Sequence, residues 1–180
     1  MRYILNASAA CFLAALMIHA PCEAGEEISP LVQWTLDRKH VRGTRLRPSA
    51  GKITGRIYGK AAISREKPGA LAFGGEKSRV LLAERIDDSI LPAKAITVSA
   101  WVMVREVREW SGILSALQDN GNFEKGWCLG TNGSRFFFCL SSSGSDDGDG
   151  KLTYLKAPTD FVPGYWYHVA GTYDGASQKL

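Results

Sequence analysis

Apolar and polar residues alternate in short bursts along this chain, and none of the bursts has helical spacing. The clearest runs from Ile96 to Val104, where Ile96, Val98, Ala100, Val102 and Val104 share one face at a period of two. Thr97, Ser99, Trp101 and Met103 occupy the other face, so both faces of this strand are expected to be covered. Ile113–Leu117 reads as the next strand. A hairpin follows, with Trp127–Gly130 and Arg135–Leu140 flanking Thr-Asn-Gly-Ser. Asn132-Gly133 is a strong two-residue turn signal. With that pair at the tip, Trp127 opposes Phe138 and Leu129 opposes Phe136, and these four with Leu140 form an aromatic core face. Trp166–Tyr173 is a further strand, rich in aromatic and β-branched residues, and Asp174-Gly175 after it signals a turn.

Weaker patterns predict strands at Leu31–Leu36, Ile53–Tyr58, Gly69–Phe73, Val80–Leu82 and Lys151–Lys156, with one helical turn within Glu84–Leu91. Many short strands separated by turns, with no amphipathic helix, predict an all-β fold, an antiparallel two-sheet sandwich. Residues after the last turn begin a returning strand with Lys179-Leu180, so the sandwich is expected to be incomplete at its C-terminal side.

The first 24 residues have another character. Arg2 precedes an apolar run from Ile4 to Ile18, and Cys22-Glu23-Ala24 offers small residues before Gly25. That is the layout of a secretory signal peptide, and the run is short for a membrane span. Lipid attachment at Cys22 is disfavoured by Pro21. The expected organisation is a signal peptide over 1–24, a short leader over 25–30 and one sandwich domain over 31–180. Export places the protein in the periplasm, at the cell surface or outside the cell. No transmembrane segment is expected in the mature chain.

Net charge is +4. Loss of the signal removes one Arg and one Glu and leaves that balance unchanged. Arg38–Lys67 holds ten Lys or Arg and a single acid, Glu66, among scattered glycines. It reads as a long irregular connection, a solvated loop. Anionic glycans or a cell surface are the partners such a segment could meet outside the cell. Nucleic acid is not expected, because the protein is exported and only Tyr58 is interleaved. Of four cysteines, Cys128 and Cys139 survive cleavage, and an oxidising compartment favours a disulfide between them.

Taken in order, the landmarks resemble the laminin-G-like branch of the concanavalin A-like jelly rolls. Val32-Gln33-Trp34-Thr35-Leu36-Asp37 resembles that family's first strand. Gly69-Ala70-Leu71-Ala72-Phe73-Gly74-Gly75 is similar to its "A-L-x-F-x-G" strand, and Ile96–Val102 to its "ftvsaWv" strand. Ile113-Leu114-Ser115 and Trp166–Gly175 match two more segments. The resemblance spans residues 31–180 and implies a jelly roll. It says little about ligand, since this fold carries many functions.

The resemblance also frames the candidate sites. Glycosidases of this fold use paired carboxylates on one strand, and no Glu-x-Asp-x-x-Glu run exists here. Glu84–Asp88 has the wrong spacing and reads as a surface turn. No catalytic residue is expected in this chain. Laminin-G-like domains often hold calcium at the rim, and Gln118–Phe123 resembles the loop concerned, which makes Asp119 and Asn122 candidate oxygen ligands. Asp146–Gly150 lacks the closing Glu of a calcium loop and reads as a solvated tip. His168 reads as a packed strand residue, and His40 has no evident partner. Trp110, expected in a loop, is the candidate ligand-binding residue, because an exposed tryptophan stacks on sugar rings. These features predict an exported, non-catalytic recognition module for carbohydrate or an extracellular protein. One alternative is an N-terminal accessory domain of a larger secreted hydrolase (a phosphoesterase, sulfatase or glycosidase) with its catalytic domain downstream. Another is a structural adhesion domain.

Overall fold

A computed structural model describes residues 2–6, 11–19, 30–65, 69–75, 77–84, 94–119, 124–141, 151–177 and 180. Among these there is no helix, and so none long and apolar enough to cross a membrane. The strands are β1 Arg2–Asn6, β2 Cys11–His19, β3 Val32–Trp34, β4 Val41–Arg42, β5 Arg45–Leu46, β6 Gly55–Tyr58, β7 Ala62–Ile63 and β8 Leu71–Phe73. They continue with β9 Arg79–Ala83, β10 Ala95–Val104, β11 Arg108–Asp119, β12 Glu124–Gly133, β13 Arg135–Leu140, β14 Thr153–Lys156 and β15 Trp166–Asp174.

Two antiparallel sheets result. One has nine strands in the order β14-β13-β12-β11-β1-β9-β6-β5-β4. The other runs β15-β10-β2-β8-β7, with β3 also paired to β2. Between them lies one core that includes Trp34, Leu46, Leu71, Val98, Leu114, Leu129 and Phe138. Trp34, Leu46, Leu71 and Leu114 are fully buried. Each such aliphatic side chain removed from water contributes about 1.5–3 kcal/mol. The Trp34 indole Nε1–H donates to the Ile53 carbonyl at 3.0 Å, so its polar atom is satisfied inside the core.

The period-two reading of Ile96–Val104 holds on its inner face, where all five alternate residues are buried. Its other face is more open than expected. Trp101 is 46 % exposed and packs against His168 of β15 with ring centroids 5.3 Å apart.

The hairpin register differs from the expected one. Gly133, at a left-handed φ of 58°, and Ser134 form the tip, so that Asn132 pairs with Arg135, Leu129 with Phe138 and Trp127 with Leu140. Asn132 is held out of the turn by its side chain. Its amide donates to the Glu109 carbonyl at 2.7 Å, and its oxygen accepts from Lys156 Nζ at 3.0 Å. Each arm moves by one residue, which keeps the same residues facing the core. It also brings Cys128 directly opposite Cys139.

Two further expectations are corrected. The basic segment holds more than the one strand expected at Ile53–Tyr58, where β6 falls, since β4, β5 and β7 also lie within it. Val41, Leu46, Ile57 and Ile63 supply their inward apolar positions. His40 has partners: its Nδ1 lies 2.8 Å from Asp37 Oδ1 and 2.9 Å from Thr35 Oγ1. The helical turn expected within Glu84–Leu91 and the Asp146–Gly150 loop fall outside the described residues, Glu84 excepted.

Residues assigned above to a signal peptide form β1 and β2. β1 lies between β9 and β11, and β2 between β8 and β10. The apolar run Cys11–Ile18 of β2 suits a central strand as well as the middle of an export signal, because both need only sustained hydrophobicity.

Candidate functional site

The outward face of the nine-stranded sheet carries a groove of about 460 Å³ over β11 to β14. Its lining includes Trp110, Ser111, Ser115, Glu124, Phe137 and Tyr154. Trp110 belongs to β11, not to a loop. The polar neighbours that make Arg108–Gly112 look like a loop are what an outward, half-solvated strand end requires. Trp110 stays 55 % exposed, and its ring meets Phe137 and Tyr154 edge-on, with centroids 5.6 and 5.7 Å away. Phe137 and Tyr154 are themselves 5.6 Å apart. Such edge contacts add about 0.5–1.5 kcal/mol per pair and fix the Trp110 plane.

Glycine shapes the floor. Gly130 pairs with Phe137, and a Cβ at Gly130 would stand 2.8 Å from that ring and 2.5 Å from the Ser111 carbonyl. The absent side chain lets Phe137 lie flat across β12. Below it, Cys128, Cys139 and Leu152 form a small second core with Phe137. The Cys139 thiol is held far above the usual thiol range, first by its hydrogen bond with the Cys128 side chain and then by burial. It is therefore neutral and a poor nucleophile. The two sulfurs are separate thiols in this structure.

Charge sits at the rim. Lys156 Nζ lies 5.7 Å from the Trp110 ring centroid, within cation–π range. Glu124 accepts from the Leu152 N–H at 2.9 Å, which ties β12 to the approach of β14. A half-exposed indole held by two tilted rings and bordered by one cation, one carboxylate and two serines can stack on a sugar ring and orient its hydroxyls. Glu124 is the one carboxylate among its described lining residues.

The other sequence-derived candidates lie elsewhere. Asp119 ends β11 as the register partner of Glu124, and Asn122 is outside the described residues. Among the described residues, no group of three or more His, Cys, Asp and Glu is placed to hold a metal. His168 is exposed, and its ring packs at a tilt against Trp101 on the other sheet. Tyr154, Lys156 and Glu124 were not singled out from the sequence. Phe137 gave a usable signal, because three consecutive phenylalanines cannot all face one core and the middle one must point out.

The family model for laminin-G-type members of the concanavalin A-like lectin/glucanases superfamily matches residues 75–180. The chain belongs to the concanavalin A-like lectin/glucanases superfamily. Among curated proteins, it is 27 % identical over 146 residues to Pappalysin-1 of Mus musculus, a match covering 73 % of this chain and 9 % of that protein. It is 26 % identical over 122 residues to Pappalysin-1 of Homo sapiens, covering 62 % of this chain and 7 % of that one. The chain thus spans less than a tenth of the length of these relatives. No solved structure matches significantly. A laminin-G-like member of the concanavalin A-like superfamily supports a role in binding carbohydrate or protein.

Proposed function

We propose that the chain is an exported, non-catalytic recognition module that binds carbohydrate at the Trp110 groove. The observation that carries this reading is the half-exposed Trp110 ring, braced by Phe137 and Tyr154 beside Lys156 and Glu124. A ring braced in this way loses little freedom when a sugar stacks on it. Glycan-array binding of the full chain, compared with Trp110→Ala, tests it. Binding that survives the substitution, or no binding by the parent chain to any glycan, refutes the assignment.

Three further parts of the proposal have their own tests. Export with residues 1–24 as leader removes β1 and β2 from the sheets. Processing and pairing are therefore alternatives for these residues, and N-terminal sequencing of the folded, exported product decides between them. Calcium held by Asp119 and Asn122 at the rim predicts a calcium-induced rise in Tm that is absent from the Asp119→Ala, Asn122→Ala double variant. A Cys128–Cys139 bridge is proposed for the oxidised protein.

A second reading is favoured by the lengths of the relatives. Both Pappalysin-1 proteins extend more than tenfold beyond the matched region, as expected of an accessory domain attached to a larger secreted hydrolase. In that setting the groove would hold the parent enzyme on a glycan or on an extracellular protein.

A further inference from the structure

Three of the eight large apolar side chains exposed among the described residues gather at one end of the sandwich. Val107, Val162 and Tyr165 are 44, 55 and 65 % exposed. Val107 lies between β10 and β11, and the other two lie just ahead of β15. Backbone bonds hold these connections together. The Gly164 N–H donates to the carbonyl of Val104, the last residue of β10, at 2.8 Å. The Phe161 N–H donates to the Ser134 carbonyl at the tip of the β12–β13 hairpin, at 2.7 Å. Gly133 of that tip is the register partner of Arg108, which starts β11 immediately after Val107.

The second connection is built to present its side chains. The Tyr165 N–H donates to the Val162 carbonyl at 3.4 Å, with Pro163 second and Gly164, at φ 86°, third, the pattern of a type II turn. Its base is fixed. The Val162 N–H donates to the Tyr167 hydroxyl at 2.8 Å, and Phe161 is buried with its ring 4.8 Å from that of Phe136. Val162, Pro163 and Tyr165 are left in water. Residues 161–165 include no charged side chain, and charges around them pair with one another: Arg108 with Glu106 at 3.0 Å and Arg135 with Asp160 at 2.9 Å. A rigid, uncharged, apolar tip of this kind gains nothing within its own fold and calls for an apolar surface outside it.

We propose that Val107 and the Val162–Tyr165 turn form a membrane-docking tip that inserts into the interfacial zone of a lipid bilayer. Tyrosine suits that zone, because its ring is apolar and its hydroxyl stays wet. Exposed Arg105, beside Val107, has a long apolar stem and a cation that can reach the lipid phosphates. Affinity of an interfacial element grows with the apolar area it buries, and the internal pairing of the neighbouring charges makes anionic lipid unnecessary. A protein partner is a poorer fit. A stable protein interface takes about 20–30 residues a side, and the two short connections, 105–107 and 161–165, offer far fewer. A bilayer accepts a small tip without a matching pocket. None of these residues lines the Trp110 groove, so the tip stands apart from the glycan reading.

The experiment is flotation of the full chain with phosphatidylcholine vesicles, in about 0.1 M and about 1 M NaCl. The Val162→Ser, Tyr165→Ser variant is compared with Leu31→Ser, Trp101→Ser, which removes two exposed apolar side chains elsewhere. The tip variant should lose at least about tenfold in partitioning, the control less than about twofold, and the parent should partition alike in both salts. Equal losses in the two variants would overturn the proposal, as would a parent chain that does not float. All forms keep residues 1–24, so insertion by that apolar run would show as an unchanged tip variant and would also overturn it. Binding lost at high salt would mean adsorption by charge and not insertion. Self-association of the parent that the tip variant abolishes, with flotation unaffected, would assign the tip to a protein contact instead. Tyr165→Glu alone, at the most exposed of the three positions, carries the same comparison if the double variant does not fold.

Discussion

Replacing Gly171 by alanine tests how the two sheets meet. Gly171 lies in β15, pairs with Val98 and faces inward, where an added Cβ would overlap the Phe138 ring of β13. Neither side yields cheaply. Phe138 is buried and bounded by its register partners Leu129 and Leu155, and Gly171 is pinned by the β10 ladder. Overpacking of this kind costs about 1–3 kcal/mol. Loss of glycine's freedom in the unfolded chain returns about 0.4–1 kcal/mol. The net is a destabilisation of up to about 2.6 kcal/mol, centred near 1 kcal/mol, or a fall in Tm of a few °C for a chain of this size. Thermal and urea unfolding measure it. The partner variant Phe138→Leu makes room, so in a double-mutant cycle the two changes together should cost at least about 1 kcal/mol less than the sum of the singles. A stabilising Gly171→Ala, or strict additivity with Phe138→Leu, would mean that β13 and β15 do not face each other as described.

Three other outcomes follow from particular contacts. Arg45 stands in register between Arg42 and Arg56, so Arg45→Thr removes the middle of three aligned cations and should raise stability by about 0.5–1 kcal/mol at low ionic strength. The gain should fade in 1 M salt, where screening acts within about 3 Å, and a salt-independent gain would point away from charge. Asp160 is held below its ordinary value by hydrogen bonds from Arg135 and then Ser134. A depressed carboxylate stabilises above its unfolded value and loses that contribution as pH falls through the folded one. Amide protection in 157–164, relative to the intrinsic exchange rate at each pH, should thus fall only as the solution is acidified below pH ~4, and Asp160→Asn should remove the dependence. Oxidation should join Cys128 to Cys139 and stabilise by about 3 kcal/mol on the chain-entropy model. Recovery of unlinked Cys128 and Cys139 peptides from the oxidised, denatured protein would refute that bridge.

The inner halves of strands were the most legible part of the chain. Ile96–Val104 and the Trp127–Leu140 hairpin announce their buried faces because burial demands apolar residues at every second position. The segment 38–65 concealed its strands for the converse reason. Each of β4 and β5 needs one inward residue, Val41 or Leu46, and the remaining positions carry arginine, so the window looks polar throughout. The hairpin register depended on Asn132, whose side chain is engaged by Glu109 and Lys156 from strands far off in sequence, which no turn rule can register. Trp110 was legible as a binding residue from its type, but not as a strand residue, because its polar neighbours are those of any exposed stretch. The groove's second wall, Tyr154, acquires meaning only through pairing with Cys139, a contact between strands joined by a connection without pattern.

The position of β1 and β2 has a consequence for the order of assembly. Arg2 pairs with Leu117, and Cys11 with Val104, so the ribosome makes these segments long before it makes the strands that will receive them. Neither sheet can close across its middle until β10 and β11 exist, and pairings over such separations are slow to form. During synthesis the N-terminal run is thus an apolar segment awaiting its place, available to whatever cellular machinery reaches it first.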